Sequence, residues 1–212
     1  MAPLRTVRQG PKEEARRLHF PSRAQWRSWL QENGQHQTEV WVELPRHSFL
    51  QSRRGRQTEQ GAIMTYLDLV EEALCFGWID GLTRSTGEGR VIRMTPRQRL
   101  RSNWTQLNKD RARRMIQQKL MTPEGEAVLP DLTIEDICLK PDILESLRNA
   151  SAFENFVSFP ESYKRIRIGY IEEMRRQPSE FQMRLANFVK KTKQNKMFGN
   201  WDDSSLPVSR RT

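Results

Sequence analysis

The chain predicts an α+β fold, with a small and mostly antiparallel sheet flanked by helices and followed by a C-terminal all-helical module. Three observations carry this expectation. "SRAQWRSWLQENG" sets Trp26, Trp29 and Leu30 at helical spacing between Ser22 and Asn33-Gly34. "TEVWVEL", and then "WIDGLTRS" with "GRVIRMTPR", have the alternation and the β-branched and aromatic content of strands. Beyond residue 128, Pro130, Pro141, Pro160 and Pro178 cut the chain into short segments with helical periodicity.

Taken in order, residues 1–17 are charged and aperiodic and are expected to form a disordered basic arm. The α+β domain is expected over residues 18–128. Its first helix starts at Ser22, an N-cap with Gln25 three residues on as the capping-box partner. Val40 and Val42 alternate with Trp41 and Glu43 in the strand that follows, and residues 46–62, rich in Arg, Gln and Gly, read as a loop. In "TYLDLVEEALCFGWIDGLTRS", Thr65 caps a helix, Asp68 lies in its first turn, and Leu67, Val70 and Leu74 share its buried face. Gly77 suits the end of that helix, and a turn at residues 87–89 joins the two strands after it. Residues 106–121 read as an amphipathic helix. The helical module is expected over residues 130–192, with Ile143, Leu144 and Leu147, then Tyr163, Ile166, Tyr170 and Ile171, at helical spacings; residues 193–212 are expected to be a disordered tail.

Composition narrows the function classes. No apolar run approaches the roughly 18 residues of a membrane span, and the N-terminus lacks the apolar segment of a secretory signal. The expectation is therefore a soluble, cytoplasmic protein. A mitochondrial presequence is the lesser alternative, because Glu13 and Glu14 interrupt the Arg-rich start. Cys75 and Cys138 are the only cysteines and stand far apart, and the three histidines are scattered, so neither a disulfide framework nor a zinc site is expected. The net charge of +10 is uneven: residues 84–119 hold eleven Lys/Arg against two acids, and residues 121–162 hold two against nine. Such a field attracts nucleic acid or another anion, or the two segments neutralise each other.

Two stretches hold the candidate chemistry. In "EEALCFGWIDG", Cys75 falls at the C-terminal, electronegative end of its helix among apolar neighbours, which disfavours a thiolate and argues for a buried structural residue. Asp80 is not needed for packing; it either braces a turn or orients a basic partner. In "RMTPRQRLRSNWTQLN", Arg97, Arg99 and Arg101 surround Pro96 and lead into Ser102, Asn103, Trp104 and Asn108. This is either an anion-binding loop or a capped helix start with solvated arginines. If it is a site, Trp78, Asp80, Arg97, Ser102, Asn103 and Trp104 are expected to converge as a partly exposed receptor for a planar or anionic group.

Those same stretches, with "WRSWLQENG", "VWVEL" and "KLMTPEG", occur in the order found in the bacterial YdeI/OmpD-associated family, whose members are described as bacteriocin-protection proteins. "PDILESLRNASAFENFVSFPESYKR" and the helices after it resemble that family's C-terminal module, so the resemblance spans about residues 18–192. It implies a non-enzymatic protein of stress or antimicrobial-peptide tolerance that binds a small anionic ligand or a protein partner. It supplies no catalytic residues to carry over. The residues alone support an alternative, a basic nucleic-acid-binding accessory protein. No nucleophile–base pair, metal cluster or phosphate-binding glycine loop is visible, so no catalytic residue, metal ligand or cofactor is assigned.

Overall fold

A computed structural model describes residues 17–46, 48–49, 64–98, 102–134, 136–199 and 201. Most of the arm, nearly all of the 46–62 loop, Arg99, Arg101 and residues 202–212 lie outside the described residues. The chain is α+β and divides after Arg97 into two compact units. The stretch 18–128 therefore crosses the division.

The first unit comprises β1 (Arg17–His19), α1 (Arg23–Asn33), β2 (Val40–Pro45), α2 (Tyr66–Cys75), β3 (Trp78–Ser85) and β4 (Gly89–Pro96). The four strands form one mixed sheet in the order β1-β2-β4-β3. β2 and β3 both run antiparallel to β4, whereas β1 lies parallel to β2, pairing Arg17 with Trp41 and His19 with Glu43. β1 is too short and too charged to register as a strand by pattern. Val40 opposes Met94 and Val42 opposes Ile92, so these four share one face, and all are buried.

Both helices start where their caps predict. Ser22 Oγ accepts from the Gln25 amide. Thr65 Oγ1 accepts from the Asp68 amide while the Asp68 carboxylate accepts from the Thr65 amide, a complete capping box. α1 packs on α2, and Trp26, fully buried, donates its indole N–H to the Leu69 carbonyl at 3.1 Å. Trp29 stacks on Trp26 and meets Trp78 edge-on.

Charge ties these helices together as well. Arg23 reaches Glu72 at 2.6 Å, Glu71 at 2.9 Å and Asp68 at 3.1 Å, and Arg27 reaches Glu72 at 2.5 Å. Glu71 and Glu72 are buried. Burial alone would lower the Arg23 pKa, but Glu72, Glu71 and then Asp68 raise it above its ordinary value. Breaking such a pair from one side leaves its partners buried without compensation.

The second unit contains α3 (Gln106–Gln117), α4 (Pro123–Glu126), α5 (Pro141–Asn149), α6 (Phe153–Ser158), α7 (Glu161–Glu172) and α8 (Pro178–Lys193); every element among its described residues is helical. Its core gathers Ile143 and Leu147 from α5, Phe156 from α6, Tyr163, Ile168 and Ile171 from α7, and Phe181, Leu185 and Phe188 from α8. α3 packs on α7 where Gly169 admits the Gln106 side chain, since a Cβ there would meet Gln106 Cγ at 2.8 Å. Phe198 and Trp201, in the described part of the tail, pack against this core, Trp201 lying edge-on to Tyr163 at 5.4 Å. No helix among the described residues is long and apolar enough to cross a membrane.

Two predictions follow from this packing. Arg23→Ala lowers unfolding stability by about 3 kcal/mol, because Glu71 and Glu72 remain buried; urea denaturation measures it, and a loss within about 0.5 kcal/mol would remove the ion network as the tie between α1 and α2. Cys75 is fully buried, and burial, with Glu72 nearby, pushes its thiol up to about 12. Cys138 is exposed. An aromatic disulfide reagent at pH 8 therefore labels one thiol per native chain rapidly and the second only on unfolding, whereas rapid labelling of both would show Cys75 to be accessible.

Candidate functional site

The six residues expected to converge fall on both sides of the division: Trp78, Asp80 and Arg97 in the first unit, Ser102, Asn103 and Trp104 in the second. In the first unit the helix-to-strand junction sets the geometry. α2 closes at Cys75, and Gly77 follows in the left-handed region at φ 73°, where a glycine carries no Cβ penalty. The Gly77 carbonyl accepts from the Arg97 amide at 2.7 Å, so the start of β3 and the end of β4 are pinned together. Trp78 turns inward, 2% exposed, and its indole N–H donates to the Gly34 carbonyl at 3.3 Å. It is a core residue and not an exposed indole face.

Asp80 is half-buried and accepts a 2.5 Å hydrogen bond from the Tyr66 hydroxyl. Arg97 is 6% exposed, and burial pushes its pKa down to about 10, an effect that the nearby Asp80 carboxylate partly offsets. The brace reading of Asp80 thus has a concrete basis: it answers a buried guanidinium and a phenol from α2. The expectation that Arg97 is partly exposed is corrected by this burial.

In the second unit, Ser102 closes a short loop, its amide donating to the Gln98 carbonyl at 2.9 Å and its hydroxyl accepting from the Gln98 amide at 3.1 Å. Asn103 is exposed, and Trp104 is half-buried with its indole nitrogen enclosed. The cap of α3 is Thr105, whose hydroxyl accepts from the Asn108 amide, and not Ser102 or Asn103.

The same unit holds a cavity of about 420 Å³ that the sequence reading did not anticipate. α7 contributes Arg167, Tyr170 and Ile171; α8 contributes Met183, Arg184, Asn187 and Phe188; Phe198 comes from the tail. Arg167 is only 8% exposed and is ringed by aromatic faces, its guanidinium carbon lying 5.2 Å from the Phe198 centroid, 5.6 Å from Tyr170 and 6.0 Å from Tyr163. Burial lowers its pKa, and the two tyrosines work against that shift. Arg184 lies 3.7 Å from the Tyr170 centroid while bonded to the Glu180 carboxylate at 2.7 Å and the Tyr170 carbonyl at 2.8 Å. Tyr170 and Met183, 43% and 60% exposed, mark the open side.

A partial signal for this cavity was present. Tyr163, Arg167 and Tyr170 stand at i, i+4 and i+7, one face of a helix, so their spacing alone sets a cation between two rings. The part played by Arg184 and Phe198 has no such local signature. Among the described residues, no three or more His, Cys, Asp or Glu side chains gather as a metal-holding cluster.

Over residues 18–128, just over half its length, the chain matches the family described as a domain of unknown function, DUF8412, and it belongs to that family. No curated protein and no solved structure matches it. Nothing in these comparisons links it to the YdeI/OmpD-associated family that its motifs resemble.

Burial changes the expected effect of removing Arg97. Arg97→Ala strips Asp80 of a buried partner and lowers stability by about 2 kcal/mol or more, read as a shift in the urea midpoint. A wild-type midpoint would mean that Arg97 is not a structural tie and would return it to a ligand-facing role.

Proposed function

We propose that the protein is a non-enzymatic binding protein for a small organic anion, acting in stress or antimicrobial-peptide tolerance as its YdeI/OmpD-like motifs suggest. The observation that carries the binding part is the cavity in the helical unit, where two arginines meet one tyrosine among apolar walls. A cavity of about 420 Å³ suits a small molecule, since such sites commonly span about 300–1,000 Å³ and combine apolar walls with a few placed polar groups. Its lining among the described residues is two arginines, an asparagine, a tyrosine and apolar side chains, a set suited to holding an anion.

The arrangement of the basic residues weighs against a nucleic-acid groove. The basic block at residues 84–119 straddles the division between the units. Several of its members are engaged locally: Arg93 with Glu39 at 2.5 Å, Arg113 with Asp110 and the Leu132 carbonyl, Arg97 and Arg111 buried. Lys109 and Arg113 also help hold the Asp131 carboxyl below its ordinary range, after the two hydrogen bonds from Thr133. Part of the positive charge is thus answered within the protein, although Arg84, Arg90 and Lys119 are exposed.

Thermal shift separates the two readings, because a ligand that binds only the native state must stabilise it, by about 2.7 kcal/mol at 100 times its Kd. Small organic acids raise the melting temperature and their neutral amides do not. Stabilisation by short DNA or RNA at low salt, with no response to any organic acid, would replace this proposal with the nucleic-acid reading.

A further inference from the structure

One wall of the cavity belongs to no helix, and the role assigned to it rests on reading the cavity as an anion site. Phe198 lines the cavity from the tail, beyond the end of α8 at Lys193. Asn195 adopts φ 52°, and the Asn195 and Lys196 amides donate to the Thr192 and Lys191 carbonyls at 2.8 and 3.0 Å. This is a Schellman closure, in which a left-handed residue stops the helix and turns the chain back. Asn155 of α6 holds the same turn, its side-chain amide donating to the Thr192 carbonyl at 3.0 Å and to the Lys193 carbonyl at 3.3 Å. The root of the tail is therefore fixed both by its own backbone and by a neighbouring helix.

Past that root the hold changes character. Residues 196–198 are neither helix nor strand, and the tail is seated through side chains. Phe198 lies 5.2 Å from the Arg167 guanidinium carbon, and Trp201 meets Tyr163 edge-on at 5.4 Å. Both rings are only half-buried. Between them Gly199 adopts φ 74°, and a Cβ built on it would lie 2.6 Å from Arg167 Nη1. Any side chain there is strained by the left-handed backbone and must displace either the guanidinium or the tail, so the seat of Phe198 depends on Gly199. Partial burial of two rings and the conformational entropy of ordering several residues are terms of comparable size and opposite sign. The docked tail therefore stands close to balance with an undocked one, whereas α7 and α8 are held by the core of the unit.

Undocking takes the Phe198 wall away from the cavity. A ligand that touches Phe198 binds the docked form more tightly than the undocked one, and by linkage it holds the tail in place. We propose that the tail around Phe198 is a strap on the cavity: Phe198 is a ligand-contacting residue, Gly199 is the positioning residue that seats it, and strap docking and ligand binding form one coupled equilibrium.

Limited trypsin digestion of the full chain reads the strap through Lys196, exposed at its root, because cleavage there requires the residues after it to leave the surface. Cleavage after Lys190, inside α8, reports opening of the helical unit as a whole. The probes are benzoate, phenylacetate and hexanoate, each screened by thermal shift against its neutral amide. Without a probe, cleavage after Lys196 precedes cleavage after Lys190. An acid that raises the Tm slows cleavage after Lys196 by about ten-fold at about ten times its Kd. Gly199→Ala speeds cleavage after Lys196 by about ten-fold, the scale of the left-handed penalty, and leaves cleavage after Lys190 at the wild-type rate. Should that variant fail to fold, Phe198→Ala decides, with weaker binding of the same acid and an unchanged Lys190 rate. An acid that raises the Tm without protecting Lys196 would overturn the strap and leave the anion site standing, as would affinity indifferent to both variants. No thermal shift with any of the three acids would overturn the anion reading and the strap with it.

Discussion

The interaction on which this structure depends is the buried guanidinium. With 36% hydrophobic residues and a net charge of +10, the chain cannot build two cores from apolar side chains alone and keep every cation in water. Arg97, Arg111 and Arg167 are each below a tenth exposed, and Arg23 is nearly as enclosed. An unanswered buried charge is too costly to persist, so each of these sites is shaped by what answers its cation. Arg23 receives three carboxylates, which fasten α1 to α2. Arg97 receives Asp80, at the point where β3 begins and β4 ends. Arg167 lies among aromatic rings, and the space beside it is the cavity.

These solutions differ in what they leave available. The carboxylate networks close on themselves and serve as architecture, so a ligand anion near Arg23 would have to compete with Glu71 and Glu72 at hydrogen-bond distance. The rings around Arg167 instead border an open space. The same residue type is therefore structural in the sheet unit and a candidate receptor in the helical one. Side-chain identity did not distinguish the two; the partners did.

Local signals in the sequence reached the elements well where chemistry is local. Ser22, Thr65 with Asp68, and Gly77 are caps whose hydrogen bonds span three or four residues, and each acts where its neighbours indicate. The alternation of Val40 and Val42 finds its partners in Ile92 and Met94. β1 escaped notice because three residues carry no period, and its parallel pairing with β2 is a contact across more than twenty positions. The site was less legible for the same reason. "WIDG" and "TPR" hold unusual residues, which drew attention to Trp78 and Arg97, but an unusual residue in a small protein is as often the answer to a burial problem as a ligand contact. In the helical unit, Tyr163 and Tyr170 read as core spacing, and the sequence cannot show that Arg184 from α8 and Phe198 from the tail arrive at the same ring system.

The central claim is that aromatic rings pack around the Arg167 guanidinium beside a cavity, which we propose takes a small organic anion. Nitrogen-15 NMR of the arginine Nε–H groups observes this directly, because ring currents displace the resonance of a proton lying over aromatic faces. The account predicts an Arg167 Nε–H signal displaced from the bulk arginine position, assigned by its loss in Arg167→Gln, that moves on addition of a small organic acid that raises the melting temperature while the Arg23 signal stays fixed. An Arg167 signal at the solvent-exposed position that is unchanged by the carboxylate would contradict it.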